Sequence, residues 1–157
     1  MSRAFHQQGG CQCGAIRYTL TERPQVVYCC HCTECQKQSS SAFGISVRVR
    51  RAALTVDGEA ARFTKTSGDK LTVCEFCPHC GSRLFHNRPA YEDMLNVKGG
   101  TFDDTDWLEP AGHIWLKSKQ AWVLIPDDGL RYDGQPDDYG PLIARYAEQW
   151  GPPGPGR

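Results

Sequence analysis

Seven of the nine cysteines stand in three tight groups: Cys11 and Cys13; Cys30, Cys32 and Cys35; Cys77 and Cys80. A C-x-C pair joined to a distant C-x-x-C pair supplies the four thiolates of a closed tetrahedral metal site. C-x-C-x-x-C supplies three and leaves one position for water or substrate. The first arrangement builds a fold, and the second can do chemistry.

A disulfide framework is the competing reading, so the redox compartment decides between them. The cysteine count is odd, and the opening MSRAFHQQGG has no apolar core of a secretory signal. No apolar run approaches the ~18 residues of a membrane span. The expected location is the cytoplasm, with no membrane partner, and thiols stay reduced there. Clustered cysteines then point to metal, with two zinc ions per chain as the expected cofactor.

Eighteen basic residues balance eighteen acidic ones in 157 residues. No global positive field recruits nucleic acid, so none is expected as a partner. The cluster Arg48, Arg50 and Arg51 reads as the charged edge of a strand. Oligomeric state leaves no signal in the sequence.

The elements that must position the cysteines are mostly strands. Alternating or β-branched runs at 15–20, 26–29, 42–49, 54–56, 60–64, 71–76, 94–98 and 121–125 are separated by Gly, Pro, Asp and Ser. This pattern predicts a mainly β fold, built as a sandwich, a barrel or folded-over sheets. A helical turn is expected over residues 33–39. A clearer helix starts at Pro141, with Leu142, Ile143, Tyr146 and Trp150 along one face and Gly151 at its end. The expected organisation is a zinc-binding β domain over 1–139, then a short helix and tail over 140–157. The terminal GPPGPGR lacks apolar surface to bury and is expected to be disordered.

Local geometry assigns each cysteine. Cys77-Pro78-His79-Cys80-Gly81 reads as a metal knuckle, with Gly81 free to take the left-handed conformation. Cys11 and Cys13 are expected to enter a strand, where residues two apart share a face. Cys30 and Cys32 converge from an extended segment, and Cys35 returns through a turn. Cys29 points away from Cys30 on an extended chain and reads as a small core residue, with a place as fourth ligand the alternative. Cys74 precedes the knuckle and could compete with Cys77. His6, His79, His86 and His113 lack partners at ligand spacing, and His31 lies between ligands as a possible proton carrier.

The segments GGCQCGAIRY, YCCHCTECQKQSSSAFG, CEFCPHCGSRLF, KGGTFDD and HIWLKSKQAW resemble the glutathione-dependent formaldehyde-activating enzyme family, which also includes centromere protein V. The resemblance spans about residues 5 to 125. It implies a β-tent fold of small folded-over antiparallel sheets, a structural zinc on Cys11, Cys13, Cys77 and Cys80, and a second zinc on Cys30, Cys32 and Cys35. It also implies a carbon-sulfur lyase of the S-(hydroxymethyl)glutathione synthase type. The chain departs from the family pattern at Gln36, where a basic residue often follows the third ligand (Lys37 comes next), and at Ser40, where glycine is common.

The same chemistry follows from the donor set. Three thiolates make zinc a poor acid for bound water, but a soft ion among sulfurs accepts a further thiol. A small thiol is the expected partner, reacting as thiolate with an aldehyde; the resemblance makes glutathione the favoured thiol and formaldehyde or a related compound the aldehyde. The new alkoxide needs a proton, and His31 and Glu34 are candidate donors. A non-catalytic zinc scaffold or a redox or metal sensor is the alternative. A protein ligand at the fourth zinc position, such as Cys29, would favour the scaffold.

Overall fold

The computed structural model describes residues 4–127 and 129–154. Their strands are β1 (Gln7–Gly10), β2 (Arg17–Leu20), β3 (Val26–Cys30), β4 (Gly44–Arg50), β5 (Leu54–Asp57), β6 (Ala61–Ser67), β7 (Lys70–Phe76), β8 (Arg83–Asn87), β9 (Met94–Lys98), β10 (Gly112–Ile114) and β11 (Leu130–Arg131). The helices are α1 (Thr33–Ser39) and α2 (Gly140–Trp150). The chain is mainly β. A three-stranded sheet runs β1-β2-β5, and an eight-stranded sheet runs β11-β10-β3-β4-β9-β8-β7-β6.

β3 sits between β10 and β4, and its five residues, VVYCC, are all buried. A strand covered on both faces reads as a continuous apolar run, as this one does. Leu142 and Tyr146 of α2 join the same core. The two sheets meet through aromatic edges: Tyr18 of β2 packs against Phe85 of β8 at 5.4 Å and against Phe102 at 5.3 Å. The Tyr18 hydroxyl lies 2.8 Å from Thr101 Oγ1, so its polar end is satisfied within the core.

β6 and β7 form a hairpin that leaves most of β6 and the first two residues of β7 exposed. Gly68 and Asp69 make its two-residue turn, with Gly68 at φ 61°, a conformation glycine takes without steric cost.

Several expectations need correction. Residues 121–125 form no strand; they wrap the Lys119 ammonium, which donates to the carbonyls of Gln120 at 3.0 Å and Val123 at 2.8 Å. Trp122 and Leu124 face outward, at 73% and 90% exposure, while Val123 between them is buried. β10 pairs in parallel with both β3 and β11, so the large sheet is mixed. β1, β8, β10 and β11 are strands in segments with too few β-branched residues, or too short a run, to signal one. Trp150 closes α2 at 37% exposure and stays out of the core. Within the tail, Gly154 accepts a hydrogen bond from Arg23 N at 2.6 Å, and residues 155–157 lie outside the described residues. No helix among the described residues is long and apolar enough to cross a membrane.

Candidate metal centre

Cys11, Cys13, Cys77 and Cys80 converge from segments more than sixty residues apart, with all four sulfurs within 4.8 Å of one another. Cys11 and Cys13 lie in the turn between β1 and β2, not along a strand as expected. Hydrogen bonds from Cys11 N to Ile16 O and from Gly14 N to Cys11 O tighten that turn, and Gly14 takes φ 81°. Curvature, not strand alternation, brings the pair together. The knuckle follows β7, with Gly81 at φ 78° and its N–H donating to Cys77 O at 2.9 Å.

Sulfurs about 2.3 Å from a tetrahedral ion stand roughly 3.8 Å apart. Cys11 and Cys13 Sγ are 3.5 Å apart, and Cys13 and Cys77 Sγ 3.7 Å, so the set fits a metal ion. Ile16 N donates to Cys11 Sγ at 3.2 Å. Hydrogen bonds from the Ser82 side chain and backbone hold the Cys80 thiol down to about 5. Ser82 Oγ also accepts from Gln12 N at 3.0 Å, tying the two halves together.

The second set, Cys30, Cys32 and Cys35, also has its sulfurs within 4.8 Å of one another. Cys30 ends β3, Cys32 is the N-cap of α1, and Cys35 lies in its first turn. Cys35 N donates to Cys32 Sγ at 3.3 Å, the bond a capping oxygen would ordinarily accept. Hydrogen bonds from Cys30 and Cys35 lower the Cys32 pKa, while the Cys30 pKa is raised by donating to Cys32. Crowding thus favours the thiolate at Cys32 and raises the pKa of Cys30 and Cys35, so it is a bound soft cation that would draw all three to the thiolate form. Among the described residues, no fourth His, Cys, Asp or Glu ligand atom joins this set.

Gln36 explains one departure from the family pattern. Its Nε2 donates to the carbonyls of His31 and Ser118, both at 2.9 Å, and its Oε1 accepts from Gln120 Nε2 at 3.1 Å. It fastens the ligand loop to residues 118–120. Ser40 explains another: it caps α1 at φ 49°, the left-handed region where glycine is free of strain.

The three cysteines open into a cavity of about 840 Å³ between α1, the β6–β7 hairpin and the loops after β10. Its walls carry Lys37, the hairpin's Lys65 and Lys70, Arg83, Arg88, Lys98 and Lys117, and Glu34 is the single carboxylate among its lining residues. Balanced net charge conceals this local positive field, because folding gathers cations from five separate segments. Sequence reasoning missed these residues. Lys98 alone left a trace, as a cation closing an otherwise amphipathic strand.

The histidines and remaining cysteines are placed as follows. His31 is fully buried, its Nε2 3.0 Å from His113 Nδ1. Burial first, then the nearby charges of His113 and Lys119, push its pKa down to about 4. Glu34 is exposed and pairs with Lys65 across the cavity mouth at 2.7 Å. Cys29 is buried away from both sulfur sets, and Cys74 lines the cavity without joining the knuckle.

The family model described as "Glutathione-dependent formaldehyde-activating enzyme" matches residues 6–118. A crystal structure of a Rhodobacter sphaeroides protein is similar at 18% identity and a TM-score of 0.47, covering 64% of this chain and 91% of that one. No curated protein matches.

Proposed function

Because the chain belongs to the glutathione-dependent formaldehyde-activating enzyme family, we propose that it condenses a small anionic thiol, glutathione favoured, with formaldehyde or a related aldehyde. It would act as a carbon-sulfur lyase. The observation that carries this reading is the three-cysteine set with no fourth protein ligand among the described residues, opening into a basic cavity.

Cys30, Cys32 and Cys35 would hold zinc, which supplies affinity for a thiolate when bound. The other zinc would sit on Cys11, Cys13, Cys77 and Cys80 and staple the fold. The chain's own residues do the rest. Lys37, Arg88 and Lys117 on the cavity walls attract the acidic groups of the thiol and orient it with sulfur toward the cysteines. Gln36 and Ser118 fix the ligand loop through the His31 carbonyl. His31 is kept neutral and Glu34 is turned toward Lys65, so solvent water is the simplest source of the final proton. Seven cysteines assigned to zinc need a reducing compartment to keep them available as ligands, and this is why we favour the cytoplasm as location.

The test has three parts. Native mass spectrometry should find two zinc ions per chain. Calorimetry should detect glutathione binding that Cys32→Ser abolishes. Exchange NMR of glutathione and formaldehyde should show adduct formation faster than the uncatalysed rate. Zinc at both sites with neither thiol binding nor acceleration would replace this reading with that of a non-catalytic scaffold.

A further inference from the structure

Two donors in the cavity have no hydrogen-bond partner among the described residues: Lys98 Nζ and the side-chain amide of Gln38. Lys98, the last residue of β9, is only 6% exposed. Leaving such groups buried and unpaired costs stability, and a fold that keeps them invites a functional explanation.

Their placement supplies one. Gln38 comes from the last turn of α1, Lys98 from β9, and Gly44 opens β4 between them. A Cβ at Gly44 would stand 3.2 Å from Gln38 Nε2, 3.2 Å from Lys98 Nζ and 3.4 Å from Cys35 Cβ. The bare glycine therefore leaves both donors facing one small space beside the third ligand of the reactive set. An ordinary side chain at 44 would crowd it. Both donors also line the cavity that holds Cys30, Cys32 and Cys35. The nearby Arg83, by contrast, is engaged with His86 Nε2 at 3.1 Å.

We propose that Lys98 Nζ and Gln38 Nε2 form an oxyanion cradle that receives the aldehyde oxygen during thiol addition. This rests on the condensation reading above. The thiolate sulfur's lone pair forms the carbon–sulfur bond, and the carbonyl π pair moves onto oxygen. Lys98 and Gln38 donate to that alkoxide, which then takes a proton from water to give the hydroxymethyl thioether, and the hydroxide left is neutralised by the proton that the thiol released to solvent on becoming the thiolate. Preorganised donors stabilise charge that appears only in the transition state, so they act on kcat more than on thiol binding. Lys98 could also offset thiolate charge, but neutral Gln38 could not. Only donor geometry accounts for both.

The experiment compares wild type with Lys98→Met, Gln38→Leu and Gly44→Ala, all zinc-loaded. Loss of one oxyanion donor is expected to lower kcat above background by about 10²–10³ for Lys98→Met, and by about tenfold for Gln38→Leu and Gly44→Ala, with Lys98→Gln partly restored. Zinc content and calorimetric glutathione affinity should stay within about threefold of wild type. A second readout needs no turnover: the [¹³C]formate signal, a one-carbon oxyanion, should broaden with wild type and stay sharp with Lys98→Met and Gly44→Ala. Undiminished kcat in Lys98→Met and Gly44→Ala, or a fall matched by loss of zinc or thiol binding, overturns the cradle while condensation stands. A wild type that does not accelerate adduct formation overturns both.

Discussion

Replacing Cys80 with serine should destabilise the protein more than replacing Cys32. Both side chains are half-buried, so a hydroxyl in place of the thiol carries a similar solvation change in each. The difference lies in the chain each metal closes. Cys13 and Cys77 are 64 residues apart, and by the loop-closure relation used for cross-links such a loop restrains about 4 kcal/mol of unfolded-chain entropy. The three-cysteine set closes a loop of about five residues, for which the same relation gives about 2 kcal/mol. The expected gap is about 2 kcal/mol, or about 4–8 °C in Tm for a chain of this size. Against a total stability of about 5–15 kcal/mol, Cys80→Ser sits near the edge of folding. Calorimetric melting of the two zinc-loaded variants, with metal content measured beside each, checks this. A Cys32→Ser variant that melts at or below Cys80→Ser would refute the division into a stapling and a reacting site.

Ser40→Gly relieves the left-handed backbone strain at the end of α1 and should raise stability by up to about 1 kcal/mol after glycine's own chain entropy is counted, read as a Tm shift. The basic cavity should make the KM for glutathione rise about threefold or more between 0.05 and 0.5 M salt while that for neutral 2-mercaptoethanol holds steady; equal salt responses would remove the electrostatic account. Glu34→Gln should change kcat by less than about threefold and lower the KM for an anionic thiol, because it removes the lining carboxylate. A loss of kcat near the 10²–10⁴ associated with general acids would instead make Glu34 the proton donor.

What the sequence determined by itself was chemistry held in short spans. Ligand spacing needs only a few residues of chain, so the knuckle turn at Cys77–Gly81, the Cys30–Cys35 loop and its following helix were legible from residue types alone. Strands rich in β-branched residues, such as Val26–Cys30 and Gly44–Arg50, announced themselves for the same local reason. The tertiary structure decided everything that depends on distant segments meeting. Short strands such as Gly112–Ile114 exist because neighbours in the sheet bond to them, not because of their own propensity. Residues 121–125 carry a strand-like pattern, yet they fold around the Lys119 ammonium. The positive cavity is invisible in a balanced net charge, because a field depends on where charges sit and not on their sum. Gly44, Gln38 and Lys98 become one place only when β4, α1 and β9 are packed together, and no spacing rule along the chain can report a space that a missing side chain leaves open.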